Sequence, residues 1–363
     1  MKNHELKPCL QETHRERTAC SWRLCSNALA CVLTFIAHVF ASTAVRSDDA
    51  TLRADAIRLF GIIEPVPQAR LAEPRVQLGQ ELFWDVRVSG DGKTSCASCH
   101  LAKEGGADRR RFSLDAKGKN TARNSQTVFN AVLQPSLRWV GDRKSAAHQA
   151  EKSLTGSMGF SSADAVVPLL SELGYQQPFQ LAFPDEQTQV SPANYAKAIE
   201  AYEETLMTPA PFDQFLAGVE TALDEKQKQG LRLFIDKGCV NCHDGKLLGG
   251  ESFEKFGMVK DYWIATKSEK HDAGRMETTK DEADRYVFRV SMLRNIASTK
   301  PYFHDGSVSE LKEAIQVMAE VQLGSRFSED EVGAIKSFLE ALSGEVPRNY
   351  RLPSTATAGK PAE

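Results

Sequence analysis

Over most of the chain, apolar residues recur at spacings of three and four, the pattern of helices that bury one face. Leu52, Ala56, Leu59 and Phe60 make one such stripe, closed by Gly61 and the prolines at 65 and 67. A second helix is predicted from Pro74 through PRVQLGQELFWDV, and it breaks into a Gly/Ser turn at SGDGKTS. Residues 101–127 are polar, basic and glycine-bearing, which predicts a loop long enough to be functional. From about 128 to 206 the helical pattern returns, most clearly in ADAVVPLLSELG and PANYAKAIEAYEETL. MTPAPFDQFLAG, with prolines at 209 and 211, predicts a linker. Beyond it, ALDEKQKQGLRLFIDKG predicts a helix capped by Asp224, with Leu231, Phe234 and Ile235 as its buried stripe. LKEAIQVMAEVQLG and SEDEVGAIKSFLEALSG predict two more, the second opened by a Ser328/Glu331 capping box. Strand signals are scarce, so the predicted fold is all-α.

A weak repeat organises these elements. In each half an apolar helix runs into the pattern Cys-x-x-Cys-His, and further helices follow. The chain of 363 residues is long enough for two domains. The reading is two similar modules in tandem, over 45–207 and 208–350, with a flexible tail at 351–363. Residues 1–44 read as an export signal. Arg15, Arg17 and Arg23 precede the apolar run ALACVLTFIAHVFA, and Ser42 and Ala44 supply small residues for cleavage. The run is too short for a comfortable membrane span. Five basic and three acidic residues lie in this segment, so its removal takes the formal net charge from −3 to −5. An acidic chain without a basic stripe does not point to a nucleic-acid partner.

The cysteines sharpen the picture. There are eight, and four lie within the first 31 residues. The other four are Cys96 and Cys99 in CASCH and Cys239 and Cys242 in CVNCH, so the body of the chain keeps no cysteine for an ordinary disulfide. Cys-x-x-Cys-His is the attachment signal for haem c: the thiols add across the vinyl groups and the histidine lies under the iron. A zinc site built from both pairs would need them roughly 15–20 residues apart and leaves both histidines unexplained. Two haems c are therefore expected, with His100 and His243 as proximal ligands. For the opposite faces, the exported chain offers His148, His271 and His304 and six methionines. A His/Met iron suits electron transfer, and an open iron suits peroxide. Spacing alone leaves the choice of methionine open.

These residues carry a resemblance. The stretches LGQELFWDVRVSGDGKTSCASCH, RNSQTVFNAVLQPSLRWVGDR, GCVNCHDGKLLGG, YVFRVSMLRNIASTKPYFHDGSV and LKEAIQVMAEVQLG resemble the bacterial di-haem cytochrome c peroxidases and the related MauG-type enzymes. The likeness runs from about residue 75 to 350. It implies two cytochrome-c-like domains and Met318 as sixth ligand of the C-terminal haem, which accepts electrons. The haem on His100 then reacts with peroxide, with Trp139 between the two and Gln149 in the distal pocket. A calcium ion is implied between the domains, held by the Asn124 side chain and the carbonyls of Thr299 and Pro301; oxygen ligands suit a hard cation. The resemblance also implies a periplasmic location, a small cytochrome c or copper protein as electron donor, and a homodimer as one assembly.

The sequence departs from the family pattern around the first haem. Residues 101–147 contain no histidine, where many members have one that blocks this iron until the other haem is reduced. The family's distal glutamate is replaced by Ser157 or Met158, with Glu151 and Glu104 as nearby acids. Ser291 stands where a proline is usual. The leading expectation is peroxide reduction to water. Two alternatives stay open: a MauG-like oxidation of a protein side chain, which Met318 argues against because that subgroup uses a tyrosine, and a non-enzymatic electron carrier.

Overall fold

The structure is a computed structural model, and it describes residues 49–353. The export segment and residues 354–363 of the expected tail lie outside the described residues. Residues 52–59 are helical. Eleven further helices follow: α1 (Pro74–Trp84), α2 (Ala146–Thr155), α3 (Val166–Glu172), α4 (Gln176–Ala182), α5 (Pro192–Glu203), α6 (Pro211–Leu216), α7 (Glu225–Asp236), α8 (Tyr262–Thr266), α9 (Met276–Thr279), α10 (Leu311–Leu323) and α11 (Glu329–Glu340). The all-α expectation therefore holds, apart from a two-stranded antiparallel ribbon in which β1 (Phe253–Lys255) pairs β2 (Val287–Arg289), with Phe253 opposite Arg289. Among the described residues, no helix is long and apolar enough to cross a membrane.

The predicted caps form. The Asp224 side chain accepts from the Gln227 amide at the start of α7, and Ser328 accepts from Glu331 at the start of α11. Two expectations fail locally. Residues 128–145 are not helical beyond one short turn, Ala131–Leu133, because Asn130, Arg138 and Gly141 take positive φ and turn the chain. The predicted linker instead contains α6. Pro211 opens that helix at its first turn, where no backbone donor is needed, and Phe212 and Phe215 are buried.

Two main cores hold the helices. In the first, α1 and α2 pack on α5. In the second, α7 packs on α11, with α10 alongside. The paired helices cross by the same device. An added Cβ at Gly79 in α1 would lie 1.9 Å from the Ala198 carbonyl oxygen, and one at Gly230 in α7 would lie 2.0 Å from that of Ala334. Only glycine lets these backbones approach so closely. Four residues beyond each glycine stands an aromatic ring, Phe83 or Phe234, which reaches the following Cys-x-x-Cys-His turn.

The ends of the described chain depart from the expected division into 45–207, 208–350 and 351–363. Leu52, Ala56 and Phe60 pack in the second core rather than the first. They are pinned there because the Ile63 amide donates to Asp213 (2.7 Å) and Arg294 donates to the Gly61 carbonyl (3.0 Å), while Arg294 and Asp213 form a buried ion pair at 2.8 Å. At the other end, Tyr350 joins the first core against Phe83, Trp84 and Phe129. Gln80 donates to the carbonyls of Asn349 and Arg351, so the segment expected to begin the tail is tied down at Arg351.

Candidate functional site

The two Cys-x-x-Cys-His turns are built alike. Each starts with a short 3-10 turn, Cys96–Ser98 or Cys239–Asn241, and the histidine amide closes back on the first cysteine's carbonyl, at 3.1 Å for His100 and 3.0 Å for His243. The His100 Nδ1 bonds the Gly106 carbonyl at 2.9 Å, and the His243 Nδ1 bonds the Leu248 carbonyl at 3.1 Å. A carbonyl can only accept, so the proton is on Nδ1 and the Nε2 lone pair is left for a metal. Burial lowers the pKa of both imidazoles, which keeps them neutral and able to ligate. Phe83 and Phe234 lie 6.4 and 6.3 Å from their respective rings. The four cysteines are free, and burial pushes their thiols up, Cys96 to about 12 and Cys99 and Cys239 to about 11. The two pairs do not converge: among the described residues no group of three or more His, Cys, Asp or Glu could hold a metal ion, which removes the zinc reading.

An apolar cavity of about 240 Å³ opens beside the second Cys-x-x-Cys-His turn and is called the second cavity after that turn. Cys239, Cys242 and His243 line one part of it, and Met318 of α10 lines it too. The remaining wall is largely hydrophobic, including Phe234, Leu311, Ile315 and Leu339. Such a cavity, with a free imidazole nitrogen, two thiols and a thioether, fits a haem c. Met292 also touches it but is buried among Ile63 and Leu247, and Met158 is buried in the first core; both fill space.

Trp139 reaches the same cavity from the loop before α2. Its indole N–H donates to the Asn124 carbonyl at 2.8 Å, and its ring meets His304 edge to face at 6.2 Å. Asn124, Thr299 and Pro301 also line this cavity. The Asn124 side-chain NH2 donates to the Arg110 carbonyl at 2.9 Å, which leaves its Oδ1 for another partner.

On the His100 side, Gln149 sits on α2 with its Oε1 buried and without a hydrogen-bond partner, a polar atom positioned for something the protein chain does not itself supply. The neighbouring His148 is tied back to its own helix start, its Nδ1 accepting from the Lys144 amide at 3.2 Å. Glu104 is not a distal acid: it is buried in the short turn that presents the Gly106 carbonyl to His100, and Arg109 pairs with it.

Three residues escaped sequence reasoning. Glu203, at the end of α5, has its carboxyl pushed up to about 8 by burial, and Glu200 adds to the effect. A signal existed, because Tyr195, Ile199 and Glu203 follow at four-residue spacing along the buried face. Tyr350 donates its hydroxyl to the His100 carbonyl, a contact 250 residues distant that no local pattern announces. Arg289 is 2% exposed and lines the second cavity.

A helical fold with paired Cys-x-x-Cys-His turns, each backed by a glycine-crossed helix pair, defines a c-type cytochrome architecture. Residues 73–221 match the family profile described as di-haem cytochrome c peroxidase. The cytochrome c551 peroxidase of Pseudomonas aeruginosa is 42% identical over 326 residues, covering 86% of this chain and 94% of the relative. The methylamine utilization protein MauG of Methylophilus methylotrophus is 31% identical over 261 residues, covering 69% and 74%. Among solved structures, a MauG-like protein associated with microbial copper homeostasis superposes with a TM-score of 0.68 at 26% identity, covering 80% of this chain and 97% of that one. The chain belongs to the di-haem cytochrome c peroxidase family and is an oxidoreductase whose family cofactor is haem c.

Proposed function

We propose that this protein reduces hydrogen peroxide to water, using electrons from a small periplasmic cytochrome c or copper protein. The observation that carries the reading is that His243, Met318 and Trp139 all line one apolar cavity. Two tandem cytochrome c units each hold a haem c, on Cys96, Cys99 and His100 and on Cys239, Cys242 and His243. When bound, these haems supply one-electron chemistry at the His243/Met318 centre and peroxide chemistry at the His100 centre.

The chain's own residues divide the work. Met318 offers a soft thioether and His243 a neutral imidazole nitrogen to the same cavity, the ligand set of an electron-transfer centre. Exposed Met258 and Val259 flank this side, with Val259 bonded to Val321 of the helix that carries Met318, and they offer an apolar surface for a donor. Trp139, whose indole N–H bonds the Asn124 carbonyl, is the proposed relay of electrons between the two haems. On the His100 side, Gln149 orients peroxide through its unpaired Oε1, which accepts from an O–H. Residues 101–147 hold no histidine to cap that face, so a haem held by His100 would be left able to take peroxide without a prior reductive activation step. Calcium binds Asn124 Oδ1 and the carbonyls of Thr299 and Pro301, neither of which accepts a backbone hydrogen bond among the described residues. Export by residues 1–44 delivers the chain to the periplasm.

The test is peroxide turnover with a reduced donor, on wild type and Met318→Ala. Turnover in wild type and its loss in the variant are expected. No turnover in wild type overturns the peroxidase reading, and full activity in Met318→Ala overturns the electron path. The open His100 face also favours a second reading, MauG-like oxidation of a protein side chain. That reading predicts consumption of peroxide coupled to a modified partner protein rather than to donor oxidation.

A further inference from the structure

Two segments 165 residues apart, Asn124–Asp142 and Arg289–Ser307, repeat each other in detail. Asn130 and Asn295 both take positive φ (59° and 62°), each opens a short 3-10 turn, and both side-chain amides donate to one atom, Thr208 Oγ1, at 2.7 and 2.8 Å. Farther along, Arg138 matches Phe303 and Gly141 matches Gly306, all with positive φ. The segments also exchange a bond. The Asn124 amide donates to the His304 carbonyl and the Arg289 amide donates to the Trp139 carbonyl, both at 2.7 Å. Asn124 and Arg289 are therefore equivalent positions, yet one is a neutral amide and the other a guanidinium.

The Arg289 guanidinium is nearly enclosed and lines the cavity of His243 and Met318. Its Nε donates to the Arg138 carbonyl at 3.0 Å, its Nη2 to Gln126 Oε1 at 3.0 Å and its Nη1 to Gln134 Oε1. All three acceptors are neutral. Buried Arg294 is matched by Asp213 at 2.8 Å, and partly buried Arg123 by Asp272 at 2.7 Å. Burial alone, with no opposing carboxylate, lowers Arg289 to about 10. A buried charge without a counter-charge is costly, so its counter-ion enters with whatever fills the cavity. A guanidinium fork matches a carboxylate, and haem carries two as propionates.

We propose that Arg289 is the built-in counter-charge for a haem propionate in the second cavity, standing at the position whose repeat partner, Asn124, belongs to the expected calcium site. The inference rests on the di-haem reading. A fixed positive charge there favours the reduced, less positive iron and raises its potential.

The test uses the full-length holoprotein as wild type, Arg289→Gln and Arg289→Lys. Haem content is counted as the pyridine haemochrome, and each haem is titrated against redox mediators by visible absorption. The Gln variant should weaken reduction of the higher-potential haem at least tenfold, about 59 mV for one electron. The Lys variant should shift it less, and the other haem should move less than either. A Gln variant with both haems loaded and its equilibrium within twofold of wild type overturns the proposal. Should the Gln variant fail to load, the Lys variant decides by resonance Raman: its propionate bending band must move, and an unmoved band overturns the proposal. A wild-type protein holding one haem per chain overturns the reading beneath it instead.

Discussion

Replacing Gly230 by alanine should force apart the helix pair that backs His243, and Gly79→Ala should do the same behind His100. The added Cβ at Gly230 would lie 2.0 Å from the Ala334 oxygen, 2.6 Å from its carbonyl carbon and 2.8 Å from the Phe338 Cβ; at Gly79 the distances are 1.9 Å, 2.6 Å and, to the Tyr202 Cβ, 2.9 Å. Non-bonded carbon contacts settle near about 3.5–4.0 Å, so the nearest is roughly 1.5 Å too short. The obstacles are backbone and Cβ atoms, which cannot rotate away as a side-chain tip would. Overpacking of this kind costs about 1–3 kcal/mol and sometimes more, while alanine in place of glycine returns up to about 1 kcal/mol of helix propensity. The net expectation is a loss of about 1–2 kcal/mol or more for each variant. Phe234 follows Gly230 by one helical turn and lies against His243, so a displaced α7 also disturbs the imidazole's wall. Urea unfolding of the holoprotein, followed by far-ultraviolet circular dichroism, measures the loss as a lowered midpoint. Soret-region dichroism should change at a different haem in each variant. Midpoints equal to or above wild type in both variants would refute the claim that these crossings are packed to contact.

Further outcomes follow from buried groups elsewhere. Desolvation, with Glu200 adding to it, pushes the Glu203 carboxyl up to about 8, far above the ordinary carboxylate range. Its contribution to stability is thus complete below the unfolded pKa and is lost as pH rises through about 8. A protonated-carboxyl infrared band at pH 7 that fades near pH 8 and is missing in Glu203→Gln is expected; a band unaffected by that substitution contradicts the assignment. Asp213→Ala should strand the Arg294 guanidinium and the Ile63 amide together. With the pair at 0% and 4% side-chain exposure, the loss should be about 3–5 kcal/mol in denaturant unfolding. A loss under about 1 kcal/mol would mean that this pair does not anchor residues 52–63.

Much of the redox chemistry is written locally. A Cys-x-x-Cys-His turn needs only five residues to set its sulfurs and imidazole, and caps such as Asp224 and Ser328 act within one helical turn. The helices therefore follow from periodicity, whereas Met318, on one of those helices, was matched only through the family resemblance. Local reasoning failed where a residue's role depends on distant partners. Pro211 reads as a breaker until its two phenylalanines find the second core, and α6 forms around them. Residues 128–145 look helical until the turns at Asn130 and Arg138 are tied to Thr208 and the other half of the chain. Residues 52–60 and Tyr350 each pack on the core farther from them in sequence.

The sequence by itself determined the attachment chemistry, the helical class and the repeat, because these rest on spacing within one or two turns of chain. Only the tertiary structure decided that Gln149 carries an unpaired buried oxygen, that Glu104 is spent on Arg109, and that Arg289 faces the second cavity without an acid. Burial and counter-charge belong to positions in space, and the residues that supply or withhold them here stand as far apart in sequence as Arg289 and Gln126.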